Sequence, residues 1–275
     1  YFDASTSKVH ALNGSGPSAS ALSFDSVKDK GFGNRLPPFH GLTVTVPGAP
    51  GAWEETVSRF GVLPLASVLE PAAALAQNGF PVAPLTAGWW QRGAERQLSK
   101  TRFGSELMID GRGPAAGEIF RNPNLASALR TLGKEGSAPF YKGDIARRIA
   151  SAVQEAGGVL TQKDLAAYTP EWTDAISIAY GESEIFECPP NGQGLAALIA
   201  LNIFEKCPVD HSNPQSFERI HYMIESMRIG FADAAAHIAD PSFYNIPVQD
   251  LLSEGYAAER AGSISPDTSG NPGSG

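Results

Sequence analysis

The chain has 275 residues and a formal net charge of −8, and 42% of its residues are hydrophobic, as in ordinary globular proteins. An acidic surface repels phosphate backbones and anionic lipids, which argues against nucleic acid or a membrane surface as a partner. Cys188 and Cys207 form neither a metal-binding pair nor a disulfide framework, and no apolar run reaches membrane-spanning length. We therefore expect no metal, no cofactor and a small-molecule substrate.

The first part of the chain predicts short strands and then helices. Two short strands flank residues 4–7, and the alternation of apolar residues with threonine over 42–46 predicts another strand, which Pro47-Gly48 ends. Helices are expected over 52–60 and 65–78, with Gly79 as the cap of the second. A further helix is predicted from Trp89 to about residue 99, and an irregular loop precedes residue 123.

The rest of the chain predicts more helices and one hairpin. Helices are expected over 123–132, 143–155, 162–166, 194–206, 215–236, 248–253 and 255–263, and strands over 175–180 and 183–187. The longest helix carries an apolar stripe, which we expect to pack in the core: Phe217, Ile220, Ile224, Met227 and Phe231. Because helices and strands do not alternate strictly, the α+β class is favoured over a doubly wound α/β fold.

No arrangement in the sequence predicts a self-contained hydrolase, which needs a nucleophile beside a base. Gly14-Ser15-Gly16 lacks the spacing of a nucleophile elbow. The histidines are scattered, at His10, His40, His211, His221 and His237. We therefore expect surface or core roles for them and no catalytic residue within this chain.

Gly192-Gln193-Gly194 is a glycine-rich turn that follows a predicted strand and opens a predicted helix, as in dinucleotide-binding loops. The helix then leads to another helix and not to a second parallel strand, and Pro189-Pro190 stiffens the turn. A nucleotide-dependent oxidoreductase is therefore the least favoured alternative.

Four groups of segments follow one another between residues 40 and 264. They comprise Val46-Pro47-Gly48-Ala49-Pro50-Gly51 with Asn78-Gly79-Phe80-Pro81, Phe140-Tyr141-Lys142-Gly143-Asp144 with Asp164-Leu165-Ala166-Ala167-Tyr168, Pro189-Pro190-Asn191-Gly192-Gln193-Gly194, and Phe231-Ala232-Asp233 with Ala239-Asp240-Pro241 and Tyr256-Ala257. In this order and spacing they resemble the gamma-glutamyltransferase family. Most of these residues are expected to be scaffold, since glycine and proline turns set the chain path.

The resemblance implies an N-terminal-nucleophile hydrolase, an αββα sandwich that is rich in helices. In that family a precursor cleaves itself, and the new N-terminal threonine of the small subunit is the nucleophile, with its own α-amino group as base. The expected partner is therefore a small catalytic subunit from the same precursor. Residues 1–264 would be the large-subunit part of a single domain that lacks a preceding segment, and residues 265–275 would be a flexible tail.

The resemblance also implies a substrate site at Asn13, Gly14 and Ser15. In gamma-glutamyl enzymes an Asp-Gly-Arg-like motif ends this strand, and its arginine binds the α-carboxylate of the glutamyl group. Ser15 stands where that arginine is expected, which forfeits a charge-assisted pair of about 1.5–3 kcal/mol. Arg35 is an alternative anchor. Together with the Asn191–Gly194 loop, the change favours the divergent branch that contains cephalosporin-acylase-like proteins and oxamate amidohydrolase.

The resemblance predicts an amide hydrolase or acyl transferase, and a catalytically inactive homologue that acts as a binding or structural module is the alternative. The two are distinguished by whether a threonine-led strand follows Gly275 in the gene. Cytoplasmic and periplasmic or secreted locations both stay open, because a targeting segment would precede residue 1.

Overall fold

A computed structural model of the protein describes residues 1–210 and 212–275, so that His211 lies outside the described residues. The helices are α1 (Phe24–Asp29), α2 (Ala49–Phe60), α3 (Leu65–Asn78), α4 (Pro84–Arg96), α5 (Pro123–Glu135), α6 (Ala138–Lys142), α7 (Asp144–Glu155), α8 (Gln162–Ala166), α9 (Gly194–Glu205), α10 (Phe217–His237), α11 (Val248–Leu251) and α12 (Glu254–Gly262). The strands are β1 (Phe2–Asp3), β2 (Lys8–Val9), β3 (Ala11–Asn13), β4 (Phe80–Pro81), β5 (Ile119–Phe120), β6 (Glu171–Thr173), β7 (Ile176–Tyr180) and β8 (Ser183–Glu187).

The described strands form four antiparallel pairs, β1 with β2, β3 with β6, β4 with β5, and β7 with β8. Helices account for most of the regular structure, and the predicted α+β class is confirmed. The chain divides into two compact units, residues 1–13 with 171–275, and residues 14–170. The first division falls between Asn13 and Gly14, within the predicted substrate segment.

The core of the first unit is built around α9. Leu195, Ile199 and Ile203 on this helix are completely buried, and partners from α10, α11 and α12 surround them. A helix that is apolar on all sides is stable in water only when other elements cover it, as α9 is. Its single buried amide is satisfied, because Asn202 Nδ2 donates to the Leu252 carbonyl at 3.0 Å.

The expectation that the α10 stripe packs in the core is wrong. The five residues are between 41% and 73% exposed: Phe217, Ile220, Ile224, Met227 and Phe231. The face that packs on α9 carries small residues such as Ser226 and Gly230, and a Cβ at Gly230 would lie 2.6 Å from the Ala196 carbonyl oxygen. Small residues bring the two backbones close together, so this face forms the helix contact.

The second unit contains a larger core and a smaller apolar cluster. Leu160 and Leu165 are completely buried in the larger core, together with Ala146 and Val153 of α7. The smaller cluster joins Val82 and residues of α4 and β5. The amphipathic helix α7 thus buries one face in this core, through Ala146, Ala150 and Val153.

The predicted strand over 42–46 is wrong. Residues Gly41–Thr43 form a 3-10 turn, with the Leu42 N–H bonded to His40 Nδ1 at 3.2 Å, and Thr45 makes only an isolated bridge to Ser18. Leu42 and Val46 are nevertheless buried. The alternating pattern correctly indicated that Leu42 and Val46 are buried. A strand also needs a neighbouring strand with which its backbone forms a ladder of hydrogen bonds, and this segment has none.

The single turn α8 begins with a capping box at Thr161. The Thr161 N–H and hydroxyl donate to Asp164 Oδ2 at 2.8 and 2.6 Å, and the Ser20 N–H donates to Oδ1 at 3.0 Å. Burial is the largest single influence and raises the pKa of Asp164, but the hydrogen bonds from Thr161 and Ser20 together lower it to about 2.

We expect Asp164→Asn to lower the free energy of unfolding by about 2 kcal/mol at neutral pH. The folded pKa of about 2 lies below the ordinary value of 3.8, so this stability is present above pH 3.8 and is lost as the pH falls toward 2. Urea unfolding at several pH values measures the effect, with the exposed Asp144→Asn as the control. Equal pH dependence of wild type and Asp164→Asn between pH 4 and 2 would contradict the assignment.

Candidate functional site

The candidate site begins at the end of β3, in the first unit. Asn13 pairs with Glu171 across the β3–β6 ladder, which fixes its backbone. Its side-chain Nδ2 donates to Asn191 Oδ1 at 3.1 Å, across 178 residues of sequence. This hydrogen bond connects the predicted substrate segment to the Asn191–Gly194 loop, and the two motifs are far apart in the sequence.

The loop from Asn191 to Gly194 connects β8 to α9. A Cβ at Gly194 would lie 2.8 Å from Glu187 Cβ, so glycine lets the loop pass close to this side chain. The strand before the loop, β8, pairs antiparallel with β7 and not with a parallel strand. The βαβ context of a dinucleotide-binding loop is therefore missing here, as the helix that follows had indicated.

In the second unit, Tyr168 holds two backbone segments together. Its hydroxyl lies 3.1 Å from the carbonyl oxygens of both Gly14 and Gly48. A Cβ at Gly48 would come within 1.9 Å of the Gly14 carbonyl oxygen, so the two segments approach as closely as glycine allows. Burial raises the pKa of Tyr168, so that its hydroxyl stays protonated and donates a hydrogen bond near neutral pH.

Tyr141 fixes the next part of the same loop. Its hydroxyl donates to the Pro47 carbonyl at 2.9 Å and accepts from the Gly51 N–H at 3.1 Å. Burial raises the pKa of Tyr141 to about 12. The rings of Tyr141 and Tyr168 lie 5.0 Å apart, and both hydroxyls are therefore structural donors and unsuited to act as general bases at neutral pH.

Ser15 is exposed, and its two glycine neighbours fix the backbone on either side. A Cβ at Gly14 would lie 2.9 Å from Ala52 Cβ, and one at Gly16 would lie 1.8 Å from the Val46 carbonyl oxygen. The Val46 N–H also donates to the Pro17 carbonyl at 2.9 Å. Position 15 is thus presented on a well-packed backbone, with its side chain exposed.

Arg35, the other proposed anchor, is exposed in the loop that follows α1. Sequence reasoning treated Tyr141, Tyr168 and Asn191 as parts of family-like segments without predicting their contacts. In the sequence, these residues were marked only by being a tyrosine or an asparagine inside such a segment. What the tyrosines hold in place could not be read from sequence, since their partners are backbone carbonyls far along the chain.

The described residues contain no group of three or more histidine, cysteine or acidic side chains that could hold a metal. Of the four described histidines, His40 caps a turn, and His221 and His237 lie beside the carbonyls of Ser265 and Gly275. Cys188 is exposed, whereas Cys207 is buried, and burial raises the pKa of its thiol. None of the described helices combines the length and the apolar composition that crossing a membrane requires.

Residues 1–273 match the family described as gamma-glutamyltranspeptidase, and the chain belongs to this family. A glutathione hydrolase-like proenzyme of Bacillus subtilis is 35% identical over 266 residues, which cover 96% of this chain and 50% of the relative. An acylase proenzyme of Pseudomonas sp. (strain SE83) is 34% identical over 79% of this chain and 39% of its own length. The chain thus spans about half the length, or less, of these curated relatives.

The solved structures agree with the predicted fold. Cephalosporin acylase from Bacillus halodurans has a TM-score of 0.84 and 39% identity over 94% of this chain and 49% of its own. Helicobacter pylori gamma-glutamyltranspeptidase has a TM-score of 0.86, covers 98% of this chain and 78% of its own, and at 24% identity shows the fold alone. The predicted family and its N-terminal-nucleophile hydrolase fold are therefore confirmed, and the relatives are enzymes.

Proposed function

We propose that this chain is the large-subunit portion of an amide hydrolase or acyl transferase whose nucleophilic threonine belongs to a small subunit of the same precursor. The observation that carries the proposal is the match to proenzymes that are about twice as long as the chain. A threonine that becomes N-terminal on cleavage can use its own α-amino group as the base, so the proposal requires no base from this chain.

The chemistry needs no cofactor. The threonine hydroxyl oxygen adds to the amide carbonyl carbon, and its α-amino group accepts the hydroxyl proton. That proton passes to the leaving amine as the C–N bond breaks, which leaves the acyl group on threonine as an ester. Water then hydrolyses the ester, or an amine acceptor takes the acyl group, and the threonine is restored.

We assign this chain the scaffold and part of the acyl-donor pocket, at Asn13, Gly14 and Ser15. The support is geometric: Asn13 Nδ2 donates to Asn191 Oδ1, Gly14 packs closely against the Ala52 side chain, and Gly16 packs against the Val46 backbone, so that Ser15 is presented on a fixed segment. A serine hydroxyl cannot replace the two parallel donors of a guanidinium toward a carboxylate. The proposed substrate is therefore a small amide whose acyl group need not carry an α-carboxylate.

The test uses the full-length enzyme with two matched anilides, gamma-glutamyl-p-nitroanilide and butyryl-p-nitroanilide, which lacks the α-amino and α-carboxylate groups. We expect kcat/KM for the two to be similar, because serine at position 15 gives the α-carboxylate no guanidinium partner there. A preference for the gamma-glutamyl compound of about tenfold or more, the contribution of one charge-assisted pair, would contradict the substrate proposal. Failure to hydrolyse any amide, with no acyl-enzyme formed, would contradict the enzymatic proposal.

A further inference from the structure

A pocket of about 450 Å³ opens in the second unit, beside the smaller apolar cluster and between parts of α3, α4 and α5. Among the described residues that line it, eight are apolar and the ninth is Asn122. The apolar lining includes three aromatic side chains and three partly exposed leucines: Phe80, Trp90, Phe120, Leu75, Leu107 and Leu125. Ligand pockets in proteins have volumes of about 300–1,000 Å³, so this one is large enough for a small molecule.

The walls of the pocket are held in place by contacts within the second unit. Phe80 and Phe120 face each other in the β4–β5 ladder, and the centres of the Phe120 and Trp90 rings lie 4.6 Å apart. The Asn122 N–H donates to the Ala76 carbonyl at 2.8 Å, which joins the end of β5 to α3. The pocket is therefore formed before any ligand arrives, as ligand pockets usually are.

The chemistry of the walls selects against polar occupants. Trp90 Nε1 already donates to the Leu107 carbonyl at 2.8 Å, and Asn122 Oδ1 already accepts from the Leu125 N–H at 3.0 Å. No charged side chain is among the described lining residues. A peptide would bring backbone N–H and C=O groups to walls that leave them unpaired, at about 1–3 kcal/mol for each group. A charged ligand would lose its hydration without gaining a partner.

We propose that this pocket binds a small neutral aromatic molecule. Pairs of aromatic rings gain about 0.5–1.5 kcal/mol beyond the area that they bury, and Phe80, Trp90 and Phe120 offer three rings. Water competes poorly for such walls, since an engineered apolar cavity of about 150 Å³ stays dry and takes up benzene. None of the described lining residues belongs to the segment Asn13–Ser15, and this site is independent of the proposed amide chemistry.

The first experiment titrates the full-length protein with N-phenyl-1-naphthylamine, a neutral aromatic dye whose emission rises in apolar surroundings. We expect Leu75→Glu to raise the Kd at least about tenfold, because it places a carboxylate beside the pocket. The control is Leu85→Glu in α4, at a position that is 82% exposed and does not line the pocket, and its Kd should stay within about twofold of the wild type. An unchanged Kd in Leu75→Glu would overturn the proposal.

The second experiment locates the site without any substitution. Benzophenone, a neutral molecule of two rings, is irradiated with the full-length protein, which is then digested for mass spectrometry. Insertion into peptides that carry Leu75, Leu107 or Leu125, reduced by excess N-phenyl-1-naphthylamine, supports the proposal. Labelling only in other parts of the protein, or none, overturns it.

A third measurement tests the neutral class of ligand. 1-Anilinonaphthalene-8-sulfonate has the same skeleton as the dye and adds one negative charge. We expect it to displace benzophenone labelling at least about tenfold less effectively than N-phenyl-1-naphthylamine, because a sulfonate finds no partner in these walls. Equal displacement would refute the neutral ligand. None of the three readouts uses enzymatic activity, so failure of the proposed function would leave them interpretable.

Discussion

Ser15→Arg is expected to raise kcat/KM for gamma-glutamyl-p-nitroanilide by about ten- to a hundredfold in the full-length enzyme. A guanidinium at this position would form a bidentate, charge-assisted pair with the α-carboxylate of the substrate, worth about 1.5–3 kcal/mol. The exposed position 15 between Gly14 and Gly16 accepts the longer side chain without displacing the backbone. Hydrolysis of butyryl-p-nitroanilide should stay unchanged, because that compound has no carboxylate.

Two variants at the same position separate charge from geometry. Ser15→Lys supplies a point charge without the planar fork, and we expect a smaller gain than with arginine. Ser15→Ala removes the hydroxyl and should leave the discrimination between the two anilides as it is in the wild type. If arginine performs no better than alanine, Ser15 does not occupy the carboxylate-binding position, and the assignment of the pocket fails.

Asp233→Ala should lower the free energy of unfolding by about 3–5 kcal/mol, the largest stability effect that we predict for this chain. Asp233 is completely buried, and its Oδ1 accepts from Arg260 Nη2 at 3.2 Å and from the Gly275 N–H at 3.0 Å. Removing the carboxylate leaves a guanidinium that is only 14% exposed without its counter-charge. Urea unfolding of the purified protein measures the loss.

A double-mutant cycle tests the reason for that loss. Asp233→Ala combined with Arg260→Met removes both charges, and we expect the double variant to be more stable than Asp233→Ala alone. Glu259→Ala, an exposed acid on the same helix as Arg260, should change the free energy of unfolding by less than about 0.5 kcal/mol. A loss in Asp233→Ala no larger than in this control would show that the buried pair contributes little.

Much of the secondary structure could be predicted because its causes are local. The helix over Gln162–Ala166 and the strand Ser183–Glu187 were predicted with the observed bounds, since a Thr161 cap and a glycine turn mark their ends. The helix over Pro84–Arg96 was predicted to begin at Trp89, several residues late. Its start depends on proline at the first turn, a weaker signal than the two tryptophans that follow.

The contacts of the site were less accessible to sequence reasoning. The segment Asn13–Ser15 and the loop after Pro190 were each singled out, but the bond between Asn13 and Asn191 joins residues 178 positions apart. The roles of Tyr141 and Tyr168 depend on which carbonyls their hydroxyls reach. Hydrogen bonds over such separations follow from the packing of whole elements and leave no periodic signal along the chain.

The sequence by itself determined the α+β class and most of the helices, because composition, spacing and local capping are properties of neighbouring residues. The family followed from the resemblance of its segments to known proteins. The tertiary structure decided which face of α10 packs on α9 and whether residues 42–46 pair as a strand. Hydrophobic periodicity shows that a face avoids water, whereas the identity of its partner depends on the shape of the opposing surface. Small residues at Ser226 and Gly230 settled that choice for α10 and left the larger apolar side chains on its outer face.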